Sequence, residues 1–320
     1  MAINKAMRIA LKALSYPDLD TKKTYKLQRQ VTTAIHPYIK PLYEIWDHKI
    51  AGLDHEIPVR IFWPPDTDSM PKILIFFHGG GWVIGNIDSY SKICHHMAKQ
   101  TGHIVISVDY RLAPENPFPA APEDCYTVAR EIYREAELFN VRREDITLIG
   151  DSAGGNLAAV VSLMARDRGE FLPAKQILLY PSTASDHSEA SPFPSVHENG
   201  TDYLLTTKRI NDFMELYINS EKDLSHPYLA PLLAEDLSGQ PKTLIITAEY
   251  DPLRDEGEAY GKKLEQYGND VEIVRMKDAL HGFITLPLHF VHVKRSYERI
   301  NRFLKTNEVG LDNRNIYRDR

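Results

Sequence analysis

Short apolar runs recur along the chain, separated by longer stretches in which apolar residues follow helical spacing. The runs are continuous and rich in β-branched residues, and they cover Ile73–Phe77, Ile104–Val108, 146–149, 177–180 and 244–247. Such runs are typical of parallel strands that are buried on both faces of a sheet. Helix-like stretches lie between them, at 89–100, 122–138, 155–168 and 256–267. Because strand and helix alternate, the pattern predicts an α/β fold with a mostly parallel, doubly wound sheet.

Three regions depart from this alternation. Helical spacing ahead of the core predicts two helices, at 3–14 and 22–35. Within 182–225, a segment containing proline, serine and histidine leads into the helix-like stretch 207–218 in place of the next strand. We interpret it as an insertion above the sheet.

The composition excludes several classes of protein. Apolar residues make up 43% and charged residues 26% of the 320 residues, which is the balance of an ordinary globular protein. The formal net charge of -6 provides no basic excess to neutralise phosphates, so we expect no nucleic-acid partner.

The cysteines and the start of the chain bear on location. Cys94 and Cys125 are too few for a disulfide framework and favour reduced thiols in a cytoplasmic protein, with a single bridge as the alternative. Lys5, Arg8 and Lys12 interrupt the first apolar positions, so no signal peptide is predicted. No apolar run reaches about 18 residues, so no membrane-spanning segment is expected. The oligomeric state stays open, with a homodimer among the alternatives.

The sequence Gly150-x-Ser152-x-Gly154 lies between an apolar run and a helix-like stretch. In that context it is the pattern of a nucleophile elbow. The turn is so tight that side chains at the two glycine positions would collide, and it lifts Ser152 above the sheet edge. The next helix directs its N-terminal dipole and the Ala153 N–H toward negative charge that forms there. A simple serine-glycine turn is the alternative, since so short a pattern arises by chance.

A second motif, His78-Gly79-Gly80-Gly81-Trp82, follows directly on Ile73–Phe77. Consecutive glycines let backbone N–H groups approach a ligand without obstruction. Gly80 and Gly81 are thus candidates to donate to an oxyanion beside Ala153, each bond contributing on the order of 3 kcal/mol in the transition state. A flexible turn or a phosphate loop is the alternative, but no Gly-Lys-Ser/Thr follows to support a phosphate loop.

Together with Tyr-Arg-Leu-Ala-Pro-Glu at 110–115, these HGGGW and GDSAGGN segments resemble the hormone-sensitive-lipase family of esterases, also called bacterial family IV. The resemblance implies a serine esterase with an α/β-hydrolase core and a helical cap, and it identifies Gly80 and Gly81 as the oxyanion glycines, with Gly79 completing the motif. The implied divisions are N-terminal cap helices at 1–45, a first part of the core at 46–184, a cap insertion at 185–225, a second part of the core at 226–308 and a polar tail at 309–320.

The fold's chain order requires an acid and then a histidine after the serine. Asp251 follows the run 244–247, and His281 follows the strand-like stretch 271–276. Both lie where an α/β sheet builds its site, in loops at the carboxyl ends of strands. Asp255 and Glu249 are alternatives, with Asp255 expected to be the N-cap of the next helix and Glu249 a loop carboxylate. The resemblance assigns the acid to Asp251 and the histidine to His281.

Other residues near these motifs have structural roles as alternatives to functional ones. His78 is expected to orient the glycine loop by hydrogen bonds, and Trp82 and Phe283 are either pocket residues or core residues. Cys94, His95 and His96 are adjacent on a predicted helix and point in different directions, so no metal site is expected.

The sequence therefore predicts a serine carboxylesterase that acts on short- to medium-chain esters through an acyl-enzyme and needs no cofactor. An amide or formamide hydrolase, such as an arylformamidase or deacetylase, is the first alternative, because related sequences use the same residues. A non-catalytic small-molecule receptor is the second, and the complete Ser152, Asp251 and His281 set argues against it.

Overall fold

The computed structural model describes residues 11–13, 15, 20–35, 45–65 and 71–305. The tail predicted at 309–320 and most of the helix predicted at 3–14 lie outside this part of the chain. No helix in the described part is long and apolar enough to cross a membrane.

An eight-stranded sheet in the order β1-β2-β4-β3-β5-β6-β7-β8 forms the centre of the molecule. The strand β2 pairs antiparallel with β1 and β4, whereas the pairs from β4 through β8 are parallel. The mostly parallel α/β sheet is thus confirmed. The strands are β1 Ile45–Ala51, β2 Glu56–Phe62, β3 Ile73–Phe77, β4 Ile104–Val108, β5 Ile146–Asp151, β6 Lys175–Leu179, β7 Lys242–Tyr250 and β8 Val271–Leu280.

Helices cover both faces of this sheet. They are α1 Thr21–Ile35, α2 Ile87–Thr101, α3 Ala120–Arg134, α4 Ala153–Arg168, α5 Pro194–Asn199, α6 Thr207–Tyr217, α7 Arg254–Gln266 and α8 Val291–Lys305. Side chains of β3 alternate between two buried apolar clusters, one of which includes α3 and α4 and the other α2 and α8. Burial on both faces explains why the strands read as unbroken apolar runs.

The strand order reverses direction between β3 and β5. From β3 the chain moves outward through β4, whereas from β5 it moves the other way through β6, β7 and β8. A crevice opens at the carboxyl ends of the strands at such a switch point, and ligands bind there in open α/β sheets. The glycine motif follows β3 and Ser152 follows β5, so the topology brings the two motifs to the same crevice.

The insertion predicted at 182–225 contains α5 and α6, and α6 packs against α1. Several boundaries differ from the sequence-based expectation. The strand β8 extends to Leu280, so His281 follows it directly. The helix α7 begins at Arg254, two residues earlier than the expected start.

Candidate active site

Ser152 occupies a strained turn between β5 and α4. Its backbone has φ 54° and ψ -119°, a conformation that residues with a side chain rarely adopt. A Cβ placed on Gly150 would lie 2.1 Å from the Gly154 carbonyl oxygen, and one on Gly154 would lie 1.9 Å from the Phe77 carbonyl oxygen. No side chain fits at either position, which explains the two glycines of the motif physically.

His281 lies between Ser152 and Asp251. Its Nε2 is 2.9 Å from Ser152 Oγ, and its Nδ1 is 2.7 Å from Asp251 Oδ2. The Asp251 side chain is completely buried, whereas that of His281 is 12% exposed and opens to the cavity. The structure therefore brings together three residues that are far apart in the sequence, in the arrangement of a hydrolase triad.

Asp251 is fixed by its own loop. Its Oδ1 accepts the Leu253 N–H at 2.9 Å, which leaves Oδ2 for the histidine. Asn199 of α5 donates to the Asp251 carbonyl oxygen at 3.3 Å. The carboxylate thus has a defined orientation toward His281.

The two alternative carboxylates have other partners. Glu249 Oε2 accepts the Asp278 N–H at 2.6 Å and so links the ends of β7 and β8. Asp255 is not the N-cap of α7, since that position is taken by Leu253. The expectation was wrong because the helix begins earlier. Asp255 Oδ2 instead accepts the Ser195 N–H at 2.8 Å, which ties α7 to α5 in the insertion.

Hydrogen bonds to the carbonyl groups hold the glycine loop after β3. His78 Nδ1 lies 2.8 Å from the Gly79 carbonyl oxygen, and the Gly80 carbonyl oxygen accepts the N–H groups of Val83 and Ile84. Because C=O and N–H point in opposite directions across a trans peptide, these bonds orient the N–H groups of Gly80 and Gly81. Among the described residues, no hydrogen bond uses either N–H, and both glycines line the cavity.

His78 is completely buried, and its ring stacks on Tyr110 at 4.3 Å. Burial lowers the pKa of His78, although the hydrogen bond to Gly79 opposes the shift. A neutral ring with its proton on Nδ1 can donate to the Gly79 carbonyl group. This contact is the one expected of a residue that orients the loop.

A cavity of about 230 Å³ opens above Ser152 and His281. Trp82 lines it and stacks on Tyr217 of α6 at 4.3 Å, whereas Phe283 is not among the lining residues. Phe283 is 2% exposed and packs against Tyr180 in the core behind the histidine loop. The structure thus brings Trp82, but not Phe283, to the cavity.

Some cavity residues had no signal in the sequence. Phe213 of α6 lies so close to Gly81 that a Cβ there would meet its ring at 2.4 Å, and Leu204, Arg209 and Ile210 also come from the insertion. Their positions depend on how the insertion folds back, which local spacing does not reveal. Asp151 also lines the cavity. Its position directly before Ser152 in the motif is the sequence signal that places it near the site.

No group of three or more potential metal ligands is found among the described residues. Cys94 is buried, and burial raises the pKa of its thiol well above the ordinary value, so the inert thiol is the stable form.

The model of a protein family described as having the alpha/beta hydrolase fold matches residues 74–285. The chain belongs to this family. The match includes the glycine loop, the elbow, Asp251 and His281, and with the esterase relatives it confirms the resemblance to the hormone-sensitive-lipase group.

Relatives of this α/β hydrolase carry esterase names. The carboxylic ester hydrolase LipN of Mycobacterium tuberculosis is 40% identical over 249 residues, which cover 76% of this chain and 65% of LipN. The arylesterase of Saccharolobus solfataricus is 38% identical over 248 residues, covering 77% of this chain and 79% of that protein. Among solved structures, a hyperthermophilic esterase from the archaeon Pyrobaculum calidifontis has a TM-score of 0.83 at 35% identity and covers 97% of this chain and 100% of that one.

Proposed function

We propose that this α/β hydrolase is a serine carboxylesterase that cleaves short- to medium-chain acyl esters through an acyl-enzyme intermediate. The single observation that carries the proposal is the continuous hydrogen-bond relay from Asp251 through His281 to Ser152 Oγ at the floor of the cavity. The esterase names of relatives across the whole core support the same reaction class.

In the proposed reaction, Ser152 Oγ attacks the ester carbonyl carbon while His281 Nε2 takes its proton. Asp251 holds the proton-bearing Nδ1 of His281 and stabilises the imidazolium that forms. The developing oxyanion accepts hydrogen bonds from the N–H groups of Gly80, Gly81 and Ala153.

The tetrahedral intermediate then expels the alcohol, which leaves with the proton from His281 Nε2. A water molecule gives its proton to the same nitrogen and attacks the acyl group. The second tetrahedral intermediate then releases the acid, while His281 Nε2 returns that proton to Ser152 Oγ. These steps require no cofactor.

The proposal extends to the arrangement around the site. Arg29 of α1 donates to the carbonyl oxygens of Val83 and Ala113 at 2.7 Å, next to the glycine loop. With α6 packed on α1, these contacts support a cap built from 1–45 and 185–225 above a core of 46–184 and 226–308.

The buried, free Cys94 and Cys125 support a cytoplasmic location. The oligomeric state stays open, and analytical ultracentrifugation distinguishes a monomer from a homodimer.

A panel of p-nitrophenyl esters, aryl formamides and aryl acetamides tests the function. We expect ester kcat/KM to exceed that of the amides by orders of magnitude, and Ser152→Ala to reduce ester turnover at least about 10³-fold with little change in melting. Faster formamide turnover would establish the amide hydrolase instead. Labelling of Ser152 by an organophosphonate without turnover of any acyl substrate would establish the receptor.

A further inference from the structure

We propose that Asp151 is a positioning residue that fixes the oxyanion loop relative to the nucleophile. The proposal rests on the proposed esterase function. Asp151 immediately precedes Ser152, and its Oδ1 accepts the Gly79 N–H at 2.8 Å. One hydrogen bond therefore joins the elbow after β5 to the loop after β3, which are 72 positions apart in the chain.

The peptide between His78 and Gly79 is held at both ends. Its N–H donates to Asp151, and its carbonyl oxygen accepts the Tyr110 hydroxyl at 2.7 Å. The next peptide begins at Gly79 and carries the N–H of Gly80, one of the proposed oxyanion donors. A rotation of the first peptide would displace that donor, and displacements near 1 Å reduce rates by roughly 100-fold.

Space around this contact is restricted. Asp151 is 2% exposed, and a Cβ on Gly79 would lie 2.7 Å from Asp151 Oδ2. The loop therefore approaches the carboxylate as closely as a glycine permits. Tyr90 donates to Asp151 Oδ2 at 3.2 Å and Tyr180 at 3.5 Å, so both carboxylate oxygens have partners.

The charge on Asp151 strengthens the contact. Burial raises the pKa of Asp151 to about 6, while the Gly79 N–H, His281 and the two tyrosines oppose the shift. The groups facing it are Tyr90 and Cys94 from α2, Tyr110 after β4, Tyr180 after β6 and His281 after β8. At pH 8 the carboxylate is ionised, and charge-assisted hydrogen bonds are roughly twice as strong as neutral ones.

Two variants at this position test the proposal at pH 8 with a soluble p-nitrophenyl ester. Asp151→Ala removes the acceptor, and we expect kcat to fall about 100-fold with KM within about threefold, because ground-state binding does not use the oxyanion donors. Asp151→Asn keeps an acceptor oxygen without the charge, and we expect kcat to fall about tenfold. The affinity for a trifluoromethyl ketone, which forms the oxyanion adduct with Ser152, should fall in parallel with kcat.

Asp124→Asn is the matched control. Asp124 is also 2% exposed and accepts the Arg111 N–H at 2.9 Å, but it does not line the cavity. We expect it to lower the melting temperature and leave kcat and ketone affinity unchanged.

Several outcomes would overturn the proposal. These are an Asp151→Asn enzyme whose kcat equals or exceeds that of the wild type, a loss expressed in KM alone, or a fall in kcat without a fall in ketone affinity. If Asp151→Ala does not fold, the asparagine variant decides. Failure of the esterase function itself is distinguishable, since the wild-type enzyme would then neither turn over esters nor bind the ketone.

Discussion

Ser152 shows how the site stores strain in a single residue. A backbone with positive φ costs on the order of 1–3 kcal/mol for a residue with a side chain. That cost is offset by the rigid surroundings, since β5 and α4 fix both sides of the turn and Ser152 donates its N–H to the Leu179 carbonyl oxygen at 2.8 Å. The hydroxyl is thereby held at hydrogen-bond distance from His281 before substrate arrives.

Asp251→Asn tests the orientation of the histidine. The amide cannot favour the imidazole tautomer that leaves Nε2 free to accept the serine proton, and it cannot stabilise the imidazolium. We expect kcat to fall roughly 10³- to 10⁴-fold while melting changes little. Steady-state kinetics and thermal melting check this, and an asparagine variant with more than a tenth of wild-type kcat would refute the acid assignment.

Ionised Asp151 should lower the free energy of unfolding at high pH. Its pKa rises from 3.8 to about 6 on folding, so the folded state holds the proton more tightly than the unfolded state. The contribution of protonated Asp151 to the free energy of unfolding is therefore present at low pH, and it is lost as the pH rises through about 6. We expect Asp151→Asn to raise the melting temperature relative to wild type more at pH 8 than at pH 5. An equal difference at both pH values would show that ionised Asp151 is not destabilising.

At the scale of elements, α7 ties the insertion to the core through two adjacent carboxylates. Glu256 is completely buried, its Oε1 accepts the Thr183 and Ala184 N–H groups at 2.6 and 3.1 Å, and its Oε2 lies 2.6 Å from His187 Nε2. Asp255 makes the bond to Ser195, but it is partly exposed. The start of the insertion is therefore anchored mainly by Glu256.

Glu256→Gln should destabilise the protein by about 3 kcal/mol, because it breaks a buried ion pair, whereas Asp255→Asn should cost about 1 kcal/mol. Burial disfavours charged His187, but the attraction of Glu256 outweighs it, so the pKa of His187 is raised. The ion pair contributes fully to the free energy of unfolding below the ordinary pKa of histidine. This contribution is lost as the pH rises through the raised pKa that His187 has in the folded protein.

Melting curves of both variants at pH 6 and pH 9 measure this effect. Relative to wild type, Glu256→Gln should lower the melting temperature more at pH 6 than at pH 9. Asp255→Asn should keep most of the wild-type kcat. An inactive Asp255→Asn enzyme beside an active Asp251→Asn enzyme would reverse the acid assignment.

At the scale of the whole molecule, residues of the insertion line the cavity, and we expect them to limit the length of the substrate. The cavity of about 230 Å³ is small for a ligand site, and α6 covers it with Ile210 and Phe213. We expect kcat/KM to peak at butyrate or hexanoate esters and to decline toward laurate. Better turnover of emulsified long-chain triglyceride than of soluble short esters would identify a lipase.

Much of this architecture could be predicted from the sequence because its signals are local. A strand buried on both faces must be apolar at every position, so β3 and β4 were predicted with their observed bounds, Ile73–Phe77 and Ile104–Val108. The clash of a Gly150 side chain with the Gly154 carbonyl group likewise involves only one turn of chain, whereas Gly154 is restricted by the Phe77 carbonyl oxygen of β3. The fold class and the need for Gly150 therefore follow from neighbouring residues alone, but the need for Gly154 comes from β3.

Tertiary structure decided what depends on residues far apart in the chain. The partner of Asp255 is Ser195, the bond of Asp151 reaches Gly79, and Phe283 turns into the core because Tyr180 packs against it. The insertion folds back to place Phe213 over Gly81. The sequence by itself determined which elements form and which residue types carry the chemistry, because hydrophobic period and turn sterics act over a few residues. The family resemblance had pointed to Asp251, but only the folded sheet brings its carboxylate to His281 and encloses the cavity, since those contacts exist only once distant strands align.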